Sequence, residues 1–254
     1  MVGILCIFLW LNYFIHSTKL LVEINKNIYT KIITKNDDNE YLIKDYNFMK
    51  ERKIISVSPG GYKGFYMMGI VSYIKKNYNL DDYIFSGVST GSWCSLFLCY
   101  NKNPNIFIHE LMNIDYQNSN CLNDINFLLK YKILDHFSEE DFHLNKLFIE
   151  VTLLEHMELQ TNIYNDFDTL EDALDCCVAS SNLPFDGRFC KYPNINSDEP
   201  VLHISPDMWS NYLEDDHLIL DFRDLYMSTN ILKLFEDGYN DAKKNKYFLD
   251  NKII

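Results

Sequence analysis

Short apolar runs alternate with helical apolar patterns through the middle of the chain. The segments Lys53–Ser58 and Tyr83–Phe85 are short, apolar and bounded by turn residues, which is typical of buried strands. Phe65–Lys76 and Gly91–Tyr100 carry apolar side chains at the spacing of helices. An order of strand, helix, strand, helix with apolar strands predicts a largely parallel sheet that helices cover on both faces. We therefore predict an α/β fold with a central, mostly parallel sheet.

The second half of the chain continues the mixture of strands and helices. Acidic residues fill the first turn of one of its helices, where the helix dipole favours them, and Thr169 or Asp168 can cap that helix. The predicted elements are helical residues at about 123–134, a strand hairpin at 146–154 and 157–163, a helix at 169–180, a short strand at 201–204 and an amphipathic helix at about 229–244.

The first 45 residues differ from the rest of the chain. An apolar run from Val2 to Ile15, interrupted by Asn12, is shorter than the roughly 20 apolar residues of a membrane-spanning helix. It fits a signal peptide or a short anchor, or an apolar piece packed on the domain. We expect 1–45 to be this segment with a polar linker, and 46–254 to be one catalytic domain. The protein is then either membrane-associated through this segment or intracellular.

Composition excludes some classes of function. A formal charge of −13 argues against nucleic acids as partners, because binding them requires a basic surface. The seven cysteines show no spacing typical of metal ligands, so we interpret them as small buried side chains in a reducing compartment. No metal and no cofactor is implied.

A serine lies between the second strand and the second helix, in a Gly-x-Ser-x-Gly pattern formed by Gly87, Ser89 and Gly91. In an elbow of this kind the serine occupies a strained turn and its hydroxyl projects above the sheet. Small residues are needed on either side of it because the backbone passes close by. We predict that Ser89 is a nucleophile with an exposed hydroxyl. The alternative is a glycine-rich turn in which Ser89 only caps the helix.

A second glycine-rich turn, residues 58–64 (SPGGYKG), follows the first strand. Adjacent glycines allow consecutive backbone N–H groups to point into one cavity, as an oxyanion requires. We predict such an oxyanion hole at Gly60, Gly61 and Tyr62. Lys63 is either a solvated charge or a cation that helps to neutralise a phosphate or oxyanion there.

Together the two motifs resemble those of the patatin-like phospholipase family. That family has Gly-Gly-Gly-x-(Lys/Arg)-Gly at the first site, where this chain has Pro59 in place of the first glycine. The segment 179–184 (ASSNLP) is also similar to the family's Ala-Ser-x-x-x-Pro segment. The resemblance covers roughly 53–245. It implies a three-layer α/β/α, patatin-like fold and a lipid acyl hydrolase that acts on lipid or phospholipid esters.

The resemblance also implies a Ser-Asp dyad, with the aspartate in an Asp-Gly motif. Asp-Gly pairs occur at 186–187 and 237–238, and we predict Asp186 as the base because it follows the 179–184 segment. Two departures weaken this assignment. Arg188 stands where the family has a small residue, and Asp186 comes two positions after Pro184, where the family has a further loop and strand.

Two other functional hypotheses stay open at this point. One keeps the elbow but makes the protein a Ser-His-Asp esterase, with His203 or His217 as the base and Asp186 as the acid. The other is a catalytically impaired relative that acts as a lipid-binding or scaffold module, which Arg188 and the shortened region before Asp186 suggest. Replacement of each histidine, and labelling with a serine-reactive probe, separate these hypotheses from a Ser-Asp hydrolase.

Overall fold

The computed structural model describes residues 52–116, 119, 122–155, 158–181, 201–209 and 231–253. Within these residues the chain forms five strands and seven helices. In chain order they are β1 (Lys53–Val57), α1 (Gly64–Asn77), β2 (Tyr83–Val88), α2 (Thr90–Cys99), α3 (Pro104–Met112), α4 (Leu122–His136), β3 (Leu147–Glu155), β4 (Glu158–Tyr164), α5 (Leu170–Ser181), β5 (Leu202–Ile204), α6 (Ile231–Lys244) and α7 (Lys246–Lys252).

The strands form one mixed sheet in the order β4-β3-β2-β1-β5. β1 is parallel to both β2 and β5, and β2 is parallel to β3. Only the hairpin partners β3 and β4 run antiparallel among the described strands. This arrangement confirms the predicted α/β class and the mostly parallel sheet.

The elements predicted from periodicity are confirmed with small shifts at their ends. Thr169 caps α5, since its Oγ1 accepts a hydrogen bond of 3.1 Å from the N–H of Asp172. Helix α3 was not predicted, although its start has a clear signal. Asn103 accepts from the N–H of Asn105, and Pro104 occupies the first helical position, where its missing N–H costs nothing.

Both faces of the sheet bury apolar side chains. Ile55, Phe85 and Ile149 face a large core that includes α1, α2 and α5, whereas Ile84 and Phe148 belong to a smaller cluster on the opposite face. Complete burial of such a side chain stabilises the fold by about 1.5–3 kcal/mol. The alternation along each strand fixes the register, because a slip of one residue would exchange the two faces.

Helices α1 and α6 approach each other closely at two glycines. A Cβ atom on Gly69 would overlap with the carbonyl oxygen of Phe235, and one on Gly238 would overlap with that of Tyr66. The second Asp-Gly pair of the sequence, 237–238, therefore lies inside a packed helix. The backbones can approach this closely because neither glycine carries a side chain.

The four cysteines that the structure describes are buried and free: Cys94, Cys99, Cys176 and Cys177. Burial raises the pKa of Cys177 to about 12. These thiols therefore stay protonated near neutral pH, which agrees with their interpretation as small apolar residues. None of the helices in the described ranges is long and apolar enough to cross a membrane. The N-terminal apolar segment, residues 1–45, lies outside those ranges.

Candidate active site

Ser89 occupies the turn between β2 and α2. Its backbone has φ 53° and ψ −127°. A positive φ is uncommon for a residue other than glycine and costs about 1–3 kcal/mol. Such strain persists only where the surrounding structure enforces it, and it is concentrated at functional sites.

The two glycines beside Ser89 are required by close packing. A Cβ atom on Gly87 would overlap with the carbonyl oxygen of Gly91. A Cβ atom on Gly91 would lie 2.6 Å from the carbonyl oxygen of Ser58 and would overlap with that of Val57. The Gly-x-Ser-x-Gly pattern therefore has a steric basis: the start of α2 lies directly against the end of β1.

Hydrogen bonds to the main chain hold Ser89 in this conformation. Its N–H donates to Oγ of Ser180 at 2.7 Å, and that hydroxyl donates to the carbonyl of Glu150 at 2.6 Å. The carbonyl of Ser89 accepts from both the N–H and the Oγ of Ser92, at 2.9 and 2.5 Å. Ser180 thus connects the elbow to β3 through a buried hydroxyl. These bonds offset the backbone strain.

The side chain of Ser89 makes no capping hydrogen bond with α2 in the described structure. This excludes the simple alternative in which the serine serves as a helix cap. The residue is 5% exposed, so the expectation of an exposed hydroxyl is wrong. The reason is the packing of β1, β3 and the end of α5 around the elbow, which leaves little of Ser89 accessible.

The glycine turn forms the entry to α1. Gly61 has φ 53°, a conformation that favours glycine, and a Cβ there would meet no atom within 4 Å. The N–H of Lys63 donates to the carbonyl of Gly60 at 3.0 Å, which closes a short 3₁₀ turn over Gly61–Lys63. The first N–H groups of a helix have no acceptor within that helix, and its dipole favours an anion there. In this turn the N–H groups of Lys63 and Gly64 donate to carbonyls of the turn, so the oxyanion hole at Gly60, Gly61 and Tyr62 stays a prediction.

The glycine turn and the serine elbow are neighbours in the structure. A Cβ atom on Gly64 would lie 2.7 Å from the Cβ of Thr90, the residue after Ser89. Gly61, Tyr62 and Thr90 line one cavity. The glycine turn and the start of α2 are thus adjacent, but neither Ser89 nor Lys63 is among the described residues that line the cavity. Asp186 and Arg188 lie outside the described residues.

The cavity beside the elbow is small and lined mainly by apolar side chains. Its volume is about 50 Å³. An apolar cavity of roughly 150 Å³ admits a ligand the size of benzene, so this one must widen to accept a longer chain. The apolar lining includes Phe65, Met68, Trp93, Phe107, Leu111 and Leu129, and the polar residues Thr90 and Asn126 also border the cavity.

His203, one of the two histidines considered as a base, interacts with a different serine. Its Nδ1 lies 2.8 Å from Oγ of Ser56. His203 pairs with Ser56, and Ser56 with Ser86, in adjacent parallel strands. With strands about 4.8 Å apart and a rise of about 3.3 Å per residue, the Cα atoms of His203 and Ser89 are separated by roughly 14 Å. This is too far for His203 to activate Ser89. His217 lies outside the described residues.

Sequence reasoning missed the structural roles of three residues near the elbow. In the sequence Ser180 stands out only as part of the 179–184 segment, and no pattern predicts its bond to the backbone of Ser89. Glu150, 1% exposed on β3, is the register partner of Val88. An acidic residue within an apolar strand is a signal that could have drawn attention to it. Asn126 could not be distinguished from other polar residues of a helix.

Comparison of the chain with models of protein families, with curated proteins and with solved structures finds no match. No group of three or more potential metal ligands is found among the described residues.

Proposed function

We propose that the protein is a lipid acyl hydrolase in which Ser89 is the nucleophile. The observation that carries this proposal is the backbone of Ser89. It is held at a positive φ by Ser180 and Ser92, while its hydroxyl makes no capping bond with α2 in the described structure. A strained serine at a helix N-terminus, next to a glycine turn, is the arrangement of an acyl-transfer site.

The reaction would proceed in two steps. Oγ of Ser89 attacks the ester carbonyl and its proton passes to a carboxylate, for which the patatin resemblance supports Asp186. N–H groups of the turn at Gly60, Gly61 and Tyr62 stabilise the oxyanion, and Lys63 adds a positive charge nearby. The intermediate then expels the alcohol, which takes up the proton. Water finally hydrolyses the acyl-serine ester and regenerates the hydroxyl.

The apolar cavity supports a hydrocarbon substrate. It adjoins both Thr90, the residue after Ser89, and Gly61 of the glycine turn. An acyl chain placed in this cavity would have its ester carbonyl between Thr90 and Gly61. The proposal extends to a patatin-like, three-layer arrangement of the domain and to association with membranes through residues 1–45.

Labelling with a fluorophosphonate probe tests the proposal directly. The full chain is expected to form a covalent adduct at Ser89, because the probe reacts with activated serines. Asp186→Asn is expected to slow the labelling without changing the fold, since it removes the base and preserves the size of the side chain. Labelling is followed by mass spectrometry of the intact protein and its peptides.

The low exposure of Ser89 favours one competing function, a catalytically impaired protein that binds lipids. In that case the probe would leave the full chain unlabelled while lipid binding persisted. An adduct that forms at another serine would likewise contradict the proposed hydrolase.

Ser180 is expected to position the nucleophile. Ser180→Ala leaves the N–H of Ser89 without its acceptor, and loss of a buried hydrogen bond of this kind costs about 1–3 kcal/mol. If the transition state loses about 1–3 kcal/mol of stabilisation in this way, kcat falls roughly 10- to 100-fold. We expect little change in KM.

Ser181→Ala is a matched control for this variant. Ser181 is the next residue on α5, and its Oγ accepts from Nε1 of Trp93 at 3.1 Å instead of from the elbow. Both variants should lower the Tm, but only Ser180→Ala should reduce kcat strongly. Equal effects of the two variants on kcat would contradict a positioning role for Ser180.

A further inference from the structure

A buried amide without a hydrogen-bond partner borders the apolar cavity beside the elbow. Asn126 on α4 is 3% exposed, and its Nδ2 has no hydrogen-bond partner in the structure as described. Oγ1 of Thr90 is also buried and lacks a partner there. Both residues line the cavity. Buried polar atoms are nearly always satisfied, so this pair is served either by water or by a polar group of a ligand bound in the cavity.

The rest of the cavity restricts the chemistry of that group. Aromatic and aliphatic side chains such as Phe65, Trp93 and Leu129 form most of its wall. A ligand must therefore be largely hydrocarbon and carry a single polar group at the level of Asn126. A hydroxyl fits best, because it can accept from the amide nitrogen of Asn126 and donate to its amide oxygen.

We infer that the cavity widens to accept an acyl chain that carries a hydroxyl group along its length, and that Asn126 recognises this hydroxyl. The inference rests on the proposed function, since it places the acyl group of the substrate beside Ser89. Asn126 is then a residue that determines specificity, because a site built to bond a hydroxyl discriminates against the chain that lacks one. Thr90 provides a second hydroxyl contact closer to the nucleophile.

The test measures binding of free fatty acids, which represent the product of the hydrolysis. Ser89→Ala protein is titrated by calorimetry with decanoic acid and with a set of monohydroxydecanoic acids that differ in the position of the hydroxyl. At least one hydroxy acid is expected to bind about tenfold more tightly than decanoic acid, as one buried hydrogen bond allows. The double variant Ser89→Ala, Asn126→Leu should lose this preference and bind decanoic acid at least as well.

Stability provides an independent readout. Asn126→Leu replaces an unsatisfied amide with an apolar side chain of similar size, so its Tm is expected to rise by about 2–4 °C in the absence of ligand. Thr90→Val, which removes a hydroxyl and preserves shape, is the second variant and should reduce the preference partially.

Several results would overturn the inference. Equal affinities for all of the acids would mean that a water molecule serves Asn126. A preference that persists in the Asn126→Leu protein, or a lower Tm for that variant, would assign the amide a purely structural role. Failure to bind any acid would exclude the cavity as an acyl site. Because binding needs no nucleophile, a hydroxy-acid preference together with absent hydrolysis would reject only the proposed hydrolase.

Discussion

Replacement of Ser89 by alanine is expected to abolish ester hydrolysis while the protein stays folded. Loss of an enzyme nucleophile lowers kcat by about 10³-fold or more, because the covalent route is no longer available. Alanine retains the Cβ atom, so the backbone strain at φ 53° does not change. The hydroxyl makes no capping bond in the described structure, so its removal should change the free energy of unfolding by less than about 0.5 kcal/mol.

The measurement combines hydrolysis of a chromogenic acyl ester with thermal unfolding. Ser95→Ala is the matched control, since Ser95 is a buried serine of the same helix, α2, whose Oγ has no partner in the described structure. The control should retain both its activity and its Tm. Activity of the Ser89→Ala protein within tenfold of the unmodified chain would show that Ser89 is not the nucleophile.

Replacement of Gly238 by alanine should destabilise the protein strongly. Replacement of glycine by alanine within a helix normally stabilises the helix by about 1 kcal/mol. Here its methyl group would overlap with the carbonyl oxygen of Tyr66 and would force α1 and α6 apart. Overpacking of this kind typically costs 1–3 kcal/mol, and the contact with backbone places it at the upper end, so we expect a net loss of about 2 kcal/mol. The Tm should fall by roughly 4–8 °C for a domain of this size.

Two further variants separate the steric effect from general effects on α6. Asn240→Ala changes an exposed residue of the same helix and should be neutral or slightly stabilising. Gly69→Ala affects the other half of the contact, where the methyl group would overlap with the carbonyl oxygen of Phe235. The double variant should cost less than the sum of the single ones, because one displacement of the helices relieves both overlaps. An unchanged Tm for Gly238→Ala would contradict the close helix packing.

Sequence patterns predicted most of the fold, because each strand or helix is recognised from residues that lie close together in the chain. The apolar run of β1 and the helical spacing of α1 can be read within a window of about a dozen residues. The elbow at Ser89 could be predicted for the same reason, since the glycines that permit it lie two positions away on either side. Helix α3 escaped prediction although its start is also marked locally, by the cap at Asn103 and by Pro104.

Contacts between distant parts of the chain could not be predicted in this way. Ser180 and Ser89 are 91 residues apart, and no spacing rule connects them. The burial of Ser89 has the same origin, because elements from other parts of the chain surround the elbow. Likewise, the sequence offered His203 as a base, whereas the strand order places it beside Ser56. The sheet register decides which polar groups meet, and that register becomes known only from the structure.

The bond between Ser180 and Ser89 also bears on how the site assembles during synthesis. A ribosome-bound chain that ends within β4 already contains the whole elbow motif, but the acceptor for the Ser89 N–H has not yet emerged. Contacts between residues so distant in sequence form late in folding, after the loop between them has closed. The strained turn at Ser89 therefore gains the support of Ser180 only once α5 docks against β3, so a nascent or truncated chain would hold the proposed nucleophile less firmly.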